Sequence, residues 1–304
     1  MLGTWEASGK CILLGEHFVV HGAPALAVPL SGVSTRVTVE VHSETGSRLE
    51  TDLCGEEERL AQRVLTAAIQ RLELPEDPPW CVRVNSSIPV GFGLGSSAAY
   101  ATALVGALSR AEGREPTRPA IREAAHELEK IVHGQPSGID DTVIALGKPI
   151  QYRRGQPVQA LEISPSIHLV LASCGYAGST RDAVAGVQAL RQRSPAVFAD
   201  LLRAAHSLSE EGKAALVTGD RALLGSVLSR NHALLQQIGV SNPDLDRLVD
   251  TATEAGAAGA KLTGAGCGGF VLALVDPGSQ PKVVEAWQQM GAKHVFCDRI
   301  GGDA

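Results

Sequence analysis

The sequence predicts a protein that contains both a sheet and several helices, as three features show. Val33–Val41 alternates β-branched and polar residues with the period of a strand. Ala98–Ala111 is apolar on almost every side, which predicts a buried helix. Four helical stretches follow between Thr180 and Ala255. With 304 residues, 44% of them hydrophobic, the chain can bury one large core or two ordinary ones.

Strand and helix patterns follow one another through the first half of the chain. Trp5–Gly15 predicts extended structure, and Glu56–Leu72 has helical spacing. Trp80–Asn85 predicts a strand that leads into a glycine-rich stretch. A further helix is predicted from Thr117 to His133, where glycine and proline end it. The first half is therefore expected to hold a sheet with helices packed on it.

A polar segment divides the chain into two expected domains. Arg153–Pro157 separates two short strands, and we place the domains at residues 1–160 and 161–304. The second domain begins with a strand at His168–Ala172 and later has a strand-loop-strand around Gly264–Gly269, followed by a last helix and strand.

Composition restricts the classes of partner. A net charge of −6, a pI near 5.9 and the absence of basic blocks argue against nucleic acid or an anionic membrane as the main partner. The N-terminal sequence has neither a signal-peptide pattern nor a membrane span, so we expect a cytoplasmic protein. The cysteines lie far apart without C-x-x-C pairs, which argues against zinc and a disulfide scaffold.

The stretch Pro89–Ala99 is the strongest local indication of function. Its glycines at 91, 93 and 95 can turn backbone N–H groups toward one point, and the buried helix starts at Ser96 or Ser97. A glycine loop at a helix N-terminus is a site for phosphate. The spacing fits neither G-x-x-x-x-G-K-[ST] nor G-x-G-x-x-G. A turn that only lets the helix pack closely on a strand is the alternative.

Charged residues bracket a buried strand near the N-terminus. Lys10 and Glu16 lie at the two ends of an otherwise apolar run, and His17 and His21 follow. Strand ends are places where functional sites are built. The alternative for each is an ordinary one: a solvated lysine at a strand end, and histidines that satisfy local hydrogen bonds.

A group of carboxylates follows the helix that ends at His133. Glu129 lies in the last turn of that helix, and Asp140 and Asp141 come just after it. Because a helix C-terminus disfavours negative charge, Glu129 needs a compensating cation, and Mg²⁺ would supply one.

Two further stretches carry candidate functional residues. Ser179, Thr180 and Arg181 place hydroxyls and a cation at a helix start, where a plain N-cap is the alternative. Lys261–Gly269 is a glycine loop between strands, which alone could be a tight turn. Two glycine loops, a lysine, a magnesium-type carboxylate and a free aspartate together favour phosphoryl transfer, which depends on positioning and charge neutralisation.

The stretches Gly9–Gly22, Pro89–Ala99, His133–Asp140 and Lys261–Gly269 resemble, in order, the motifs of the GHMP kinases, named for galactokinase, homoserine kinase, mevalonate kinase and phosphomevalonate kinase. Within that superfamily the mevalonate kinase family is the most similar. The resemblance implies a two-domain α+β fold: an N-terminal mixed α/β domain with the phosphate-loop helix, a C-terminal helical and ferredoxin-like domain, and an active site in the cleft between them.

The same resemblance implies roles for individual residues. Asp140 is the expected catalytic aspartate, with Lys10 stabilising the ionised oxygen and the transferring phosphoryl group; Ser97 and Glu129 are the expected Mg²⁺ ligands. The expected ATP-binding residues are Pro89, Val90, Gly91, Phe92, Gly93, Leu94, Gly95, Ser96, Ser97 and Ala98. The expected substrate-binding residues are Glu16, His17, Thr180, Gly264, Ala265 and Gly266. Asp141 is expected to be structural.

The implied reaction is transfer of a phosphoryl group from Mg²⁺-ATP to (R)-mevalonate, by a homodimer. Two alternatives remain open from the sequence. Another GHMP kinase of small molecules, chiefly phosphomevalonate kinase, would need extra cations for its substrate's phosphate, and none is seen near Glu16 and His17. A non-catalytic ATP-dependent sensor could have lost the chemical groups, yet they are present here.

Overall fold

The structure is a computed structural model that describes residues 2–41, 47–74 and 80–302. The strands are β1 (Leu2–Leu14), β2 (Ala25–Val41), β3 (Arg48–Glu50), β4 (Trp80–Ser86), β5 (Ile150–Tyr152), β6 (Gln159–Ala160), β7 (Ile167–Ser173), β8 (Gly259–Thr263), β9 (Phe270–Val275) and β10 (Lys293–Ile300). The helices are α1 (Gly55–Arg71), α2 (Ser96–Ala111), α3 (Arg118–His133), α4 (Ile139–Leu146), α5 (Thr180–Arg193), α6 (Pro195–Thr218), α7 (Arg221–Gln237), α8 (Pro243–Glu254) and α9 (Gln280–Gln289).

The chain forms two compact units, and both are discontinuous in sequence. The first unit comprises Met1–Lys10, Val33–Val90 and Gly95–Gly147. The second unit comprises Cys11–Gly32, Gly91–Leu94 and Lys148–Ala304. Strands β1 and β2 are paired with each other, and each contributes residues to both units.

In the first unit, β2 pairs antiparallel with β4, from Thr35 opposite Ser86 to Val41 opposite Trp80. The alternation in the sequence has the predicted outcome, since Val37 and Val39 are fully buried between more exposed neighbours. The short strand β3 pairs in parallel with β4 and was not predicted, because three residues are too few to show a period.

Helix α2 is the buried helix that the sequence predicts. Twelve of its sixteen residues are buried. At Gly106 of this helix an added Cβ would lie 2.4 Å from the ring of Trp5, so glycine lets β1 approach the helix closely. Helix α3 has the predicted ends: the Thr117 hydroxyl accepts a hydrogen bond from the N–H of Ala120, and Gly134 follows the last turn.

In the second unit, an antiparallel sheet has the strand order β10-β7-β9-β8. Helices separate β7 from β8 and β9 from β10, so the four strands have the ferredoxin-like arrangement that was predicted. All six residues of β9 are buried. Strand β5 pairs with β2 at Ala25 to Ala27 and with β6.

Leucines of the helices in the second unit form a helical core. Leu223 is half-buried, and five others are buried: Leu201, Leu208, Leu216, Leu228 and Leu235. Every helix in residues 2–41, 47–74 and 80–302 is too short or too polar to cross a lipid bilayer.

Candidate active site

In the first unit, Lys10 and Asp140 form an ion pair. Nζ of Lys10 lies 3.1 Å from Oδ1 of Asp140; the lysine side chain is 3% exposed and the aspartate side chain 34%. Asp140 stands in the first turn of α4, two residues after the N-cap Gly138, whose φ of 85° is left-handed and favours glycine. A buried ammonium group therefore faces a carboxylate that solvent and a ligand can reach.

Gly95 shapes the position of Lys10. An added Cβ there would lie 2.9 Å from Cγ of Lys10 and 2.9 Å from Cδ1 of Ile144. Gly95 also has a φ of 80°, which a side chain rarely tolerates. Only glycine thus lets the start of α2 approach the stem of Lys10, so the glycine is required by packing as well as by backbone conformation.

Ser97 and Glu129 meet at the start of α2. The Ser97 hydroxyl donates to Oε2 of Glu129 at 3.2 Å and lies 3.1 Å from Nε2 of His133. Glu129 is 2% exposed, and its other carboxylate oxygen, Oε1, has no hydrogen-bond partner in the described part of the chain. A buried oxygen without a partner is costly unless a ligand completes its coordination.

The electrostatic environment of Glu129 also favours a bound ligand. Burial, chiefly, and then the nearby charge of Asp140 raise the pKa of Glu129 to about 8. Hydrogen bonding from Ser97 and the charge of Lys10 oppose this rise. The site therefore has a deficit of positive charge, which a bound cation would correct.

The donor set fits Mg²⁺ if other ligands come from outside the protein. Across the described residues, no cluster of three or more His, Cys, Asp or Glu side chains could hold a metal by itself. Mg²⁺ commonly takes one or two protein oxygens and fills its remaining positions with water and phosphate oxygens. Ser97 and Glu129 offer such a pair.

A second buried carboxylate lies beside this group. Asp141 is 1% exposed, and its Oδ2 lies 3.3 Å from Nδ1 of His126 on α3. Burial raises the pKa of Asp141, and the charge of His126 opposes that rise. No local pattern singles out His126, because its partner lies on the next helix.

The glycine loop before α2 has the conformation that its sequence predicts. Gly91, Gly93 and Gly95 have φ values of 81°, 84° and 80°. These left-handed positions at alternate residues favour glycine, and the loop runs directly into the N-terminus of α2. Within the second unit, an added Cβ at Gly93 would lie 3.4 Å from Cα of Gly264. The two glycine loops are thus neighbours.

Phe92, which stands where the GHMP motif often has a small residue, is held by aromatic contacts. Its ring meets those of Phe270 and His294 edge-on, with centroids 5.9 and 5.5 Å away. The phenyl group therefore fastens this part of the loop to strands β9 and β10.

In the second unit, Glu16 is buried with two donors. Its Oε1 accepts from Nζ of Lys261, and its Oε2 accepts from Nδ2 of Asn231 at 3.4 Å. Lys261 is fully buried, and desolvation lowers its pKa while the charge of Glu16 opposes that change. The sequence did not suggest either partner, because they lie 245 and 215 residues away from Glu16.

His17 and the predicted substrate loop are joined directly. Nε2 of His17 lies 2.7 Å from the carbonyl oxygen of Ala265. Desolvation lowers the pKa of His17, so the ring is neutral at pH 7. The loop Gly264–Gly266 is thereby connected to the turn that carries Glu16 and His17.

Thr180 is exposed at the first residue of α5, after the N-cap Ser179. The segment before it packs tightly on the same glycine loop: an added Cβ at Gly178 would lie 1.9 Å from the carbonyl oxygen of Gly266. The structure thus brings the Thr180 segment to the loop that also meets His17.

Comparison with protein families agrees with this arrangement. Residues 59–148 match the model of the GHMP kinases N terminal domain, and residues 213–293 match that of the GHMP kinases C terminal region. The two matches cover more than half of the chain. The chain belongs to the GHMP kinases.

Several relatives of this GHMP kinase are named mevalonate kinases. The mevalonate kinase of Thermococcus gammatolerans is 36% identical over an alignment of 310 positions, which covers 92% of this chain and 91% of the relative. The mevalonate kinase of Methanothermobacter thermautotrophicus is 34% identical, with 96% and 98% covered. A crystal structure of L. major mevalonate kinase in complex with R-mevalonate matches this GHMP kinase with a TM-score of 0.91 at 27% identity, covering 99% of this chain and 97% of that one.

Proposed function

We propose that this GHMP kinase is a mevalonate kinase, which transfers the γ-phosphoryl group of ATP to the 5-hydroxyl of (R)-mevalonate and gives 5-phosphomevalonate and ADP. The observation that carries the proposal is the ion pair of Lys10 with Asp140, found in a chain that is about one-third identical to mevalonate kinases over more than nine-tenths of its length.

The reaction step is assigned to that pair. The 5-hydroxyl oxygen attacks the γ-phosphorus, its proton passes to the carboxylate of Asp140, and the bond from the γ-phosphorus to the bridging oxygen breaks to release ADP. The ammonium group of Lys10 stabilises the charge that gathers on the attacking oxygen and the transferring phosphoryl group. The partial exposure of Asp140 supports this role, because a proton acceptor must meet its substrate.

The nucleotide is assigned to the loop that leads into α2. Residues 89–98 bind its phosphates through backbone N–H groups and the helix N-terminus. Ser97 and Glu129 would hold Mg²⁺, which when bound neutralises phosphate charge. The unpartnered Oε1 of Glu129 supports the assignment.

The acceptor is assigned to the second unit. Glu16, His17, Thr180 and the loop Gly264–Gly266 form the proposed substrate set. The bond from His17 to Ala265 and the close packing of Gly178 on Gly266 support the grouping.

The main rival within the family is a kinase for an already phosphorylated acceptor. Such a site needs cations that are free to pair with the substrate's phosphate. Lys261, next to Glu16, is fully buried and already paired with that glutamate, so it does not serve a substrate phosphate. Arg181, next to Thr180, is exposed, so the choice between mevalonate and phosphomevalonate is left to the acceptor assay.

The test is a coupled ADP-release assay with mevalonate, phosphomevalonate, galactose and homoserine as acceptors, each corrected for ATP hydrolysis without acceptor. Mevalonate is expected to turn over far faster than the other three. A faster rate with phosphomevalonate or galactose would overturn the substrate assignment, and ATP binding without turnover of any acceptor would favour the sensor.

Cytoplasmic location and a homodimer also belong to the proposal. No disulfide joins the six cysteines, all of which lie within the described residues, and this supports a reducing compartment. Light scattering of the purified protein tests the dimer, which a monomeric mass at assay concentrations would contradict.

A further inference from the structure

Glu16 is buried in a way that limits its contact with any ligand. The residue is 2% exposed, and each of its two carboxylate oxygens accepts a hydrogen bond from the protein. The donors, Lys261 on β8 and Asn231 on α7, are themselves 0% and 1% exposed. This carboxylate is therefore fixed within the second unit, and its charge is matched there by that of Lys261.

The next residue, His17, has an unusual backbone conformation. Its φ of 60° lies in the left-handed region, which costs free energy for a residue with a side chain. Such a conformation persists only where the surrounding structure determines it on several sides. Here the side chain of Glu16 is held on one side, and the ring of His17 is held by Ala265 on the other.

The contact with Ala265 also determines which ring nitrogen of His17 carries the proton. A carbonyl oxygen can only accept, so Nε2 donates to it across 2.7 Å. In a neutral ring the other nitrogen, Nδ1, then carries a lone pair and is a hydrogen-bond acceptor. The residue as a whole is half-buried, so it is not closed off from a ligand as Glu16 is.

We propose that Lys261 and Asn231 are positioning residues that act through Glu16, and that Nδ1 of His17 accepts a hydrogen bond from a hydroxyl group of the acceptor substrate. The second half of this inference rests on the proposed kinase function, whereas the first concerns the protein alone. A neutral acceptor atom selects a hydroxyl donor and disfavours the carboxylate or a phosphate of a ligand, whose oxygens only accept.

Protonation of His17 reverses its role. The charged groups around its ring are Glu16, which favours the protonated form, and Lys261, which opposes it; His21 lies close enough for His17 to lower its pKa. When the pH falls below the pKa of His17, Nδ1 gains a proton and becomes a donor. The bond in which the substrate hydroxyl donates to Nδ1 is therefore lost on the acid side.

The first experiment determines which ring nitrogen of His17 carries the proton when no substrate is present. Long-range ¹H–¹⁵N spectra of the full-length ¹⁵N-labelled protein, with the His17 signals assigned by their loss in His17→Gln, distinguish the two neutral tautomers. The Nε2–H tautomer is expected in the native protein, and a mixture of tautomers in Asn231→Ala. A native Nδ1–H tautomer, or identical His17 signals in Asn231→Ala, would overturn the proposal whatever the substrate is.

The second experiment measures KM for mevalonate in variants of the proposed positioning residues. Asn231→Ala is expected to raise KM for mevalonate roughly five- to tenfold, with little change in KM for ATP. A factor of this size corresponds to the free energy of one lost hydrogen bond. Asn242→Ala is the matched control. It removes the N-cap of α8, where the asparagine accepts from Asp244 and Leu245, and so lowers stability without altering His17.

A double variant, Lys261→Met with Glu16→Gln, removes both charges and leaves no unpaired ion. It is expected to fold and to raise KM for mevalonate at least as much as Asn231→Ala does. An unchanged KM in both variants would contradict the positioning role. Failure of the native protein to phosphorylate mevalonate would contradict the proposed function instead, and the spectra would still decide the positioning role.

Discussion

The buried carboxylates of the two units differ in how completely the protein satisfies them. In the first unit, Oε1 of Glu129 has no hydrogen-bond partner among residues 2–41, 47–74 and 80–302, whereas Asp141 keeps the 3.3 Å contact of its Oδ2 with His126. In the second unit, both oxygens of Glu16 accept hydrogen bonds from buried donors. An incomplete shell marks a place where a ligand is expected, whereas a complete one marks a group that the protein uses to position its own chain.

This difference predicts opposite effects of substitution. Removing the partner of a fully paired ion leaves a buried charge alone and destabilises the protein. Removing a carboxylate that lacks partners relieves a desolvation cost and stabilises the protein without its ligand. The predictions for Lys261 and Glu129 test this contrast, and the prediction for Asp140 adds a carboxylate that is paired with a cation and yet partly exposed.

The largest effect is expected for Lys261→Met. The substitution leaves the carboxylate of Glu16 buried without its cation and is expected to lower the free energy of unfolding by about 3–5 kcal/mol. Urea titration measures the change. Lys282→Met, on the exposed face of α9, is the control and is expected to stay within about 0.5 kcal/mol of the native protein. A loss below about 1 kcal/mol for Lys261→Met would mean that the ion pair contributes little.

Asp140→Asn is expected to lower kcat at least about a hundredfold, because asparagine cannot accept the proton of the attacking hydroxyl. The KM values are expected to stay nearly unchanged, whereas the melting temperature is expected to fall, because the buried ammonium group of Lys10 loses its carboxylate partner. Steady-state kinetics and calorimetry measure these quantities. Asp182→Asn, in the first turn of α5, is the control. Turnover close to native in Asp140→Asn would show that the aspartate only supports the start of α4.

The smallest effect is expected for Glu129→Gln. Because burial raises the pKa of Glu129 to about 8, the folded protein binds more protons than the unfolded chain between about pH 4.5 and pH 8. The stability of the protein without nucleotide therefore falls as the pH rises through this range. At pH 8.5 we expect Glu129→Gln to melt roughly 2–4 °C above the native protein, and at pH 4 the two should melt together.

The same variant is expected to need more Mg²⁺ for activity, because the site loses a charged ligand. Titration of activity with Mg²⁺ measures this, and Glu127→Gln, on the exposed side of α3, serves as the control. An unchanged Mg²⁺ requirement together with an unchanged melting temperature would show that Glu129 is an ordinary helix residue.

Most elements of the fold could be predicted from the sequence, and the exceptions have physical reasons. The strand β4 and the helix α3 follow from alternation and from the Thr117 cap. The first part of β2 was missed. Ala25 to Val28 are all buried, so this stretch is a continuous apolar run without alternation, and Pro29 interrupts it.

The sequence predicted only those residues of the candidate site that lie within short sequence motifs. The sequence predicted that Lys10, Ser97, Glu129 and Asp140 would share a function, and the structure brings them together as two contacting pairs. Their catalytic and metal roles remain predictions. The donors to Glu16 could not be found, because no local pattern records a contact across more than 200 residues. One weak signal existed: Lys261 lies in an apolar strand, where a lysine needs a buried partner.

The interleaving of the two units has a consequence for synthesis on the ribosome. The first unit has all its segments once residue 147 has emerged, so it can fold while translation continues. Residues 11–32 leave the ribosome early, yet they belong to the second unit, whose later segment begins at Lys148. Ala25, for example, pairs with Tyr152. This early, largely apolar segment must therefore wait for partners that are made more than a hundred residues later, which is a period when a chaperone could bind it.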